Sequence, residues 1–466
     1  MKNKKRTFSF IIIDFIVCVF SWSLFYIARK SIIEHSEFKT DIQFLKGVCI
    51  IPFFWIFIYT IQGTYIDIKR LYRSKVFNQS FIGTILGSFI LFFFVIIDDK
   101  IYTYQNYYTS IGLLFIIQFL SITLIRLLFV SIQVKRIQGK IDHFNTIVIG
   151  KHQQVIDFEK ELCSIKKSIG NRIIGIFITD KEKINSNKYF NENSIVDQYN
   201  LKNFTEKENI EEVIIIDNEI NTKDLQFLLA KLSGLGVSVK IKASDFDIAL
   251  GTIRQNNIFG LLIKEIKFDP MPLWQKSIKR IIDLIISFIS LICLTPFFIL
   301  ISIIIKRTSK GPVFFKQERI GKHGKAFEII KFRTMYIDSE KDGPQLSSAN
   351  DNRITKFGKL LRKTRIDEFP QFINVIKGDM SLVGPRPERQ FYIEQIAEKD
   401  PSFLQLTIVK PGITSWGQVK YGYAENVEQM IQRMRFDLLY LKNRSLALDF
   451  KIMFYTLITI LKAKGK

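Results

Sequence analysis

Two adjacent carboxylates, Asp367 and Glu368, sit in a stretch of chain crowded with cations. Lys331 and Arg333 precede them, Arg353, Arg362, Lys363 and Arg365 lead up to them, and Arg386 and Arg389 follow. An Asp-Glu pair can supply a nucleophile and a metal ligand. Arginine presents a planar fork that matches two oxygens of one phosphate. One substrate with two phosphates and a second with one would account for so many cations. A solvated basic surface resting on anionic lipid would account for any one of them taken singly.

The rest of the chain must position these groups, and its composition says where. Of 466 residues, 47% are hydrophobic and 43 are Phe, which is rich for a soluble protein and points to membrane segments. The formal charge is +23, and residues 264–466 hold +15 of it, with 35 Lys and Arg against 20 Asp and Glu. Such a balance suits anionic lipid or phosphorylated substrates. Of the four cysteines, Cys18, Cys49 and Cys293 fall in apolar runs and Cys163 does not, and none makes a CxxC pair. They read as small packed hydrophobes rather than as a disulfide scaffold or a zinc site.

Four apolar runs open the sequence, at 8–27, 44–61, 81–97 and 111–132, each near the ~20 residues a helix needs to cross a bilayer. Basic residues before the first run resemble a signal peptide, but no small-residue cleavage site follows, so the run reads as a retained anchor. Lys69, Arg70, Arg73 and Lys75 fill the second loop, Lys135, Arg136 and Lys140 follow the fourth run, and Asp98, Asp99 and Lys100 make the third loop acidic on balance. The positive-inside rule then places both ends of this unit, residues 1–140, in the cytoplasm. Between 141 and 268, β-rich runs at 146–149, 173–178, 213–216 and 237–241 alternate with polar helical stretches, the pattern of a small Rossmann-like α/β module. Gly150-Lys151-His152 ends the first strand, but a GxGxxG loop is absent, so a structural or dimerising role outweighs nucleotide binding there.

Residues 269–466 form the third part. A further apolar run, 281–305, lies between Lys276, Lys279 and Arg280 on one side and Lys306, Arg307 and Lys310 on the other, with Thr295-Pro296 at its middle. Proline removes a backbone donor and breaks or kinks a helix. Two basic ends and a central break describe a helix that enters the inner leaflet and returns, over about 276–306. A fifth crossing helix with a proline kink fits the segment alone equally well. Asp283 lies inside the run, where a carboxylate needs a partner, and Lys279 and Arg280 are the nearest candidates.

Stretches at 311–321 and 327–335 are followed by Arg362-Lys363-Thr364-Arg365-Ile366-Asp367-Glu368-Phe369-Pro370-Gln371 and by Ser381-Leu382-Val383-Gly384-Pro385-Arg386-Pro387-Glu388. Recurring in this order and spacing, they resemble the bacterial sugar transferase family, the monotopic polyprenyl-phosphate phosphoglycosyl transferases, over about 274–464. The four apolar runs and the α/β module look like the long-form members. The resemblance implies a reaction: transfer of a hexose-1-phosphate from a UDP-sugar to undecaprenyl phosphate, releasing UMP, at the start of capsule, exopolysaccharide or O-antigen assembly. Asp367 matches the aspartate that forms a phosphosugar-aspartyl intermediate, and Glu368 the neighbour that helps hold Mg2+. Arg362 matches a phosphate-contacting position, and Pro385-Arg386-Pro387 a motif near the nucleotide. Lys331, Arg333 and Arg365 join them as substrate-binding candidates. The run at 281–305 matches the family's re-entrant helix, with Thr295 where the family has serine, and Leu446–Leu461 is an amphipathic stretch suited to the membrane interface. The expected fold is thus an α plus α/β membrane protein in the bacterial inner membrane, with its catalytic domain on the cytoplasmic face. A crossing at 281–305 would put that domain outside, away from nucleotide-sugars. Membrane lipid is an expected partner, nucleic acid is not, and resemblance to the long-form members also implies a homodimer.

Two other classes fit parts of the pattern. A membrane-bound nucleotide-sugar dehydratase needs a glycine-rich NAD loop and a Tyr-x-x-x-Lys pair; the glycine loop is missing, and the pair Tyr65 and Lys69 lies in a membrane loop. A non-catalytic scaffold for polysaccharide assembly would tolerate loss of Asp367, and the intact Asp-Glu pair with its flanking motifs argues against it.

Overall fold

The computed structural model describes residues 2–98, 104–165, 168–179, 201–217, 219–243, 263–337, 339, 351–422 and 424–461. Asp99 and Lys100 of the third loop lie outside these residues, as does the end of the family resemblance beyond 461. The chain divides into two compact units, residues 1–143 with 167–170, and residues 144–166 with 171–466.

The first unit is helical. Helices α1 (Lys2–Ile32), α2 (Ile42–Ile61), α3 (Arg73–Asp98) and α4 (Tyr104–Gln138) each hold a stretch long and apolar enough to cross a membrane. The helices run past the apolar stretches read from sequence and take in polar residues at their ends, such as Arg29 and Lys30 in α1 and Lys135 and Arg136 in α4. Phe10, Trp55, Tyr59 and Ile122 fill the core. Asp14 and Arg126, from α1 and α4, pair there at 2.7 Å, both buried. Tyr65 donates to Asp14 at 2.9 Å and Arg126 donates to Ser80 at 3.2 Å. In a setting without water each polar group needs such a partner. The pair went unnoticed in the sequence, although its signal was there: one opposite charge in each of two otherwise apolar runs.

The second unit begins with a five-stranded sheet. Strands β1 (Phe144–Gly150), β2 (Asn171–Ile178), β3 (Glu212–Ile215), β4 (Ser238–Lys242) and β5 (Ile263–Ile266) lie in the order β2-β1-β3-β4-β5. The first four are mutually parallel, with Ile147 opposite Val213 and Val213 opposite Val239. Of these, β1 and β3 lie inside the sheet with nearly every residue buried, and such strands read as apolar runs in the sequence, while β2 lies at the sheet edge. Strand β5 runs antiparallel to β4, and its Lys264 and Glu265 hid it. Helices α5 (His152–Ser164), α6 (Leu201–Lys207) and α7 (Thr222–Ser233) accompany the sheet. Gly150 has a packing reason: a Cβ there would stand 2.4 Å from the Ile216 side chain. Lys151 beside it pairs with Glu219.

A 36-residue helix follows, α8 (Leu273–Thr308), with Pro296 inside it. The hairpin β6 (Phe314–Ile320) and β7 (Ala326–Phe332) comes next, then α9 (Lys356–Thr364), a 3-10 turn (Ile366–Gln371) and α10 (Phe372–Lys377). Strand β8 (Ser381–Val383), helix α11 (Gln390–Lys399) and strand β9 (Gly412–Thr414) lead to α12 (Trp416–Lys420), α13 (Val427–Lys442) and α14 (Leu446–Leu461), and β8 pairs with β9 in parallel.

Both ends of α8 dock on this domain while its middle stands clear. Lys279, Asp283 and Ser287, four residues apart and so on one face, are buried. Far along the helix, Ile305 is buried with Phe332 and Leu361, and the Phe298 ring lies 5.2 Å from that of Phe332. Between them Phe288, Ile289, Ile292, Phe297 and Ile299 are exposed. Asp283 does not pair with Lys279 or Arg280. It accepts from the Ser381 hydroxyl at 2.7 Å and the Leu382 amide at 3.2 Å. Lys279 instead donates to Asp449 of α14 at 2.7 Å, and Arg280 donates to the Val375 carbonyl at 2.8 Å. Neighbours on one helix were the obvious sequence candidates, but partners brought in by the fold satisfy these groups. Thr295 donates to the Leu291 carbonyl at 2.7 Å, next to the Ile292 carbonyl that Pro296 leaves without its usual donor. In α14, Asp449 and Ile452 face inward while Phe450, Phe454 and Leu457 face outward, an amphipathic arrangement.

Candidate active site

The turn that carries the carboxylate pair is set by its flanks. Thr355 caps α9 by accepting from the Gly358 amide at 2.9 Å. The helix stops at Arg365, which holds a left-handed backbone (φ 58°), a conformation that costs a non-glycine residue about 1 kcal/mol or more. The chain then tightens into the 3-10 turn, and both Asp367 and Glu368 are only 8% exposed. Charges this deep need partners. Lys331, next to last in β7, donates to Glu368 Oε1 at 3.0 Å. Arg386, after β8, approaches the same oxygen at 3.6 Å.

A third carboxylate lines the same cavity as the pair. Glu388, 5% exposed, sits between Arg433 at 2.5 Å, Arg319 at 3.6 Å and Arg386 at 3.9 Å. Arg386 thus joins the two carboxylate clusters. All of these groups line a cavity of about 410 Å³, together with Arg353, Arg362, Arg389, Phe314, Phe315 and Tyr392. Arg362 donates to the Thr334 hydroxyl at 2.9 Å. Arg333 also lines the cavity, yet its guanidinium donates to the Lys310 and Ser309 carbonyls, both at 2.8 Å, tying down the chain that leaves α8. Arg365 and Pro387 are absent from the cavity wall among the described residues. Thr295 and Pro296 lie in the exposed middle of α8.

The two neighbours titrate in opposite directions. Burial, helped by the adjacent Glu368 charge, pushes the Asp367 carboxyl above its ordinary range, against Lys331, Arg362 and Arg365. Burial acts on Glu368 in the same sense, but Lys331, Arg386 and Arg365 outweigh it and hold that carboxyl low. The surroundings therefore favour the ionised form of Glu368 and leave Asp367 the more basic of the two carboxylates.

Among the described residues no three His, Cys, Asp or Glu side chains converge as a metal cluster. Magnesium does not need one, since it is held by one or two carboxylates with substrate phosphates and water. Glu368 suits that mode as a carboxylate that its cationic neighbours hold ionised on the cavity wall.

Arg433, Arg319 and Glu388 were missed as a cluster. Arg319 and Glu388 stood within the motifs without a role. Arg433 lies on α13, one charge among many on a helix that also carries Arg435, Asp437 and Lys442, and its spacing gave no signal. It is placed by close packing: a Cβ on Gly417 would stand 2.8 Å from the Arg433 side chain. The Gly417 amide donates to Asp437 at 2.8 Å.

Comparison with known proteins fits this arrangement. A UDP-N-acetylgalactosamine-undecaprenyl-phosphate N-acetylgalactosaminephosphotransferase of Aeromonas hydrophila is 43% identical over 47% of this chain and 50% of its own length. A UDP-glucose:undecaprenyl-phosphate glucose-1-phosphate transferase of Klebsiella pneumoniae is 34% identical over 55% of this chain and 56% of its own. The chain thus spans about half the length of these two relatives. A protein of the latter name from Xanthomonas campestris pv. campestris is 30% identical over 71% of this chain and 69% of its own. The bacterial sugar transferase profile matches residues 274–463, which hold every residue of the cavity described above. With that profile match and a relative aligned over more than two thirds of its length, the chain belongs to the bacterial sugar transferase family.

Proposed function

We propose that this chain is a membrane phosphotransferase that moves a hexose-1-phosphate from a UDP-sugar to undecaprenyl phosphate. The observation that carries this reading is the buried Asp367-Glu368 pair on the wall of a cation-lined cavity. The family relatives are named for this reaction on glucose or N-acetylgalactosamine. In the first step an Asp367 oxygen attacks the β-phosphorus of the UDP-sugar. The bond to the bridging oxygen breaks, UMP leaves with the electron pair, and a phosphosugar-aspartyl ester remains. In the second step an oxygen of undecaprenyl phosphate attacks the same phosphorus, giving the lipid diphosphosugar and returning the Asp367 carboxylate. Splitting one displacement into two lowers each barrier. Arg362, Arg386 and Lys331 hold phosphate oxygens and offset charge in both steps. Glu368 would hold Mg2+, whose charge would neutralise the diphosphate. Arg365 acts through its charge on the carboxylates, Pro387 shapes the nucleotide side, and Arg333 fixes the chain at the cavity mouth.

The four N-terminal helices form a transmembrane unit, and α8 enters the inner leaflet and returns, turning at Thr295-Pro296. A straight helix from Arg280 to Ile305 would measure about 38 Å. Yet Arg280 holds Val375, which clusters with Ile329, and Ile305 lies on Phe332 of the same strand, about 10 Å further along it. Anchors this close together, with an exposed apolar middle, favour a helix folded back at its proline. The catalytic domain then stays on the cytoplasmic face of the inner membrane, where it takes a first step in polysaccharide assembly. The homodimer implied by the long-form members remains part of this reading.

Purified protein in lipid particles, given undecaprenyl phosphate, Mg2+ and a panel of UDP-sugars, tests the reaction. The expected result is stoichiometric UMP and lipid-linked sugar with at least one of UDP-glucose, UDP-galactose or UDP-N-acetylgalactosamine, abolished by chelator. Silence across the panel would overturn it in favour of the scaffold.

A further inference from the structure

Glu388 presents an arrangement that the transfer chemistry does not itself require. One buried carboxylate meets three guanidinium groups, from β6, from the segment after β8, and from α13. The cavity wall that holds this cluster carries eight Lys and Arg side chains against Asp367, Glu368 and Glu388, an excess of positive charge that draws in an anion. Two further acids lie beside the same guanidinium groups: Glu368, 3.6 Å from Arg386, and Asp437, whose carboxyl burial pushes up to about 6. The cluster is also continuous with the reacting pair, since Arg386 touches both Glu388 and Glu368.

We propose that Glu388 is a positioning residue that clamps Arg319, Arg386 and Arg433 into one cradle, and that this cradle takes the phosphates of the nucleotide half of the donor, with Arg433 a direct ligand. The inference rests on the transferase reading above and specifies which anion the cluster receives. A nucleoside diphosphate fits better than the phosphate of the lipid acceptor for two reasons. Three forks match the larger number of oxygens. The cluster also lies on a wall shared with Phe314, Phe315 and Tyr392, whose faces suit a base or a sugar. Glu388 keeps the three like charges from splaying apart before the donor arrives, so little reorganisation is left for binding.

Steady-state kinetics on the full chain in lipid particles test this, with Arg433→Lys and Glu388→Gln compared to wild type. The KM for UDP-sugar should rise about tenfold or more in each, with kcat within about threefold and the KM for polyprenyl phosphate unchanged. UMP should inhibit each variant correspondingly more weakly. A merely structural role would lower the active fraction and leave both KM values alone, and that result overturns the proposal. A rise confined to the KM for polyprenyl phosphate overturns it as well, by assigning the cradle to the acceptor. If both variants fail to fold, amide exchange on wild type decides: UDP should slow exchange across Val427–Lys442, and no slowing would refute the assignment. Inactive wild type would instead count against the transferase reading itself.

Discussion

Asp367 and Glu368 are neighbours in sequence with unlike surroundings, and the difference shifts their titration in opposite directions. Glu368 is held ionised by Lys331 and Arg386, while Asp367 is kept basic by burial and by Glu368 itself. Glu368→Gln should therefore leave the fold intact and raise the Mg2+ concentration for half-maximal rate by about tenfold or more. A magnesium titration following UMP release checks this, and an unchanged midpoint would remove Glu368 as a ligand. Asp437 makes a separate prediction. Its folded carboxyl titrates near 6, above the ordinary value of about 4, so folding favours the protonated form. That contribution is present below about pH 4 and is lost as pH rises through about 6, amounting to about 3 kcal/mol at most. Asp437→Asn, which can still accept from the Gly417 amide, should gain thermal stability relative to wild type as pH rises from about 4 to about 6, with no further change in the difference above that. A pH-independent difference in melting midpoint would contradict this. At this scale, adjacency and motif made Asp367, Glu368 and Arg386 legible in the sequence. Arg433 was not, because its role comes from α13 packing against α12, which no local pattern announces.

The elements divide in the same way. Strands β1 and β3 were visible as apolar runs because both faces are covered, and the edge strand β2 was visible by its own apolar residues, whereas the edge strand β5, with its charges, was not. The N-terminal helices were legible from length and hydropathy, but the Asp14–Arg126 pair that joins α1 to α4 was overlooked. Helix α8 carries the sharpest expectation. Lys276 near its start and Lys310 just after its end should lie on the same side of the membrane. Single cysteines at 276 and 310, in a protein stripped of its native cysteines, should both react with an impermeant maleimide in inside-out vesicles and neither in intact spheroplasts. Opposite accessibility would make α8 a crossing helix. Pro296→Ala should weaken this pattern by restoring the donor that a continuous helix needs.

In the whole molecule, the cavity and its cations belong to the stretch matched by the family profile, while the membrane helices and the five-stranded sheet precede it. Residues 269–466 alone should thus keep UMP release within about tenfold of the full chain when reconstituted in lipid. A loss greater than a hundredfold in a folded, membrane-bound fragment would show that the N-terminal parts contribute to turnover. The central claim concerns one bond, that between Asp367 and phosphorus. Wild-type protein and Asp367→Asn would be mixed with a turned-over UDP-sugar and Mg2+ without polyprenyl phosphate, quenched, digested and weighed by mass spectrometry. The account predicts up to one UMP per wild-type chain and one sugar phosphate added to the peptide that holds Asp367, with neither in the variant. UMP released only when polyprenyl phosphate is present, with no adduct on that peptide, would mean direct displacement and would remove Asp367 as the nucleophile.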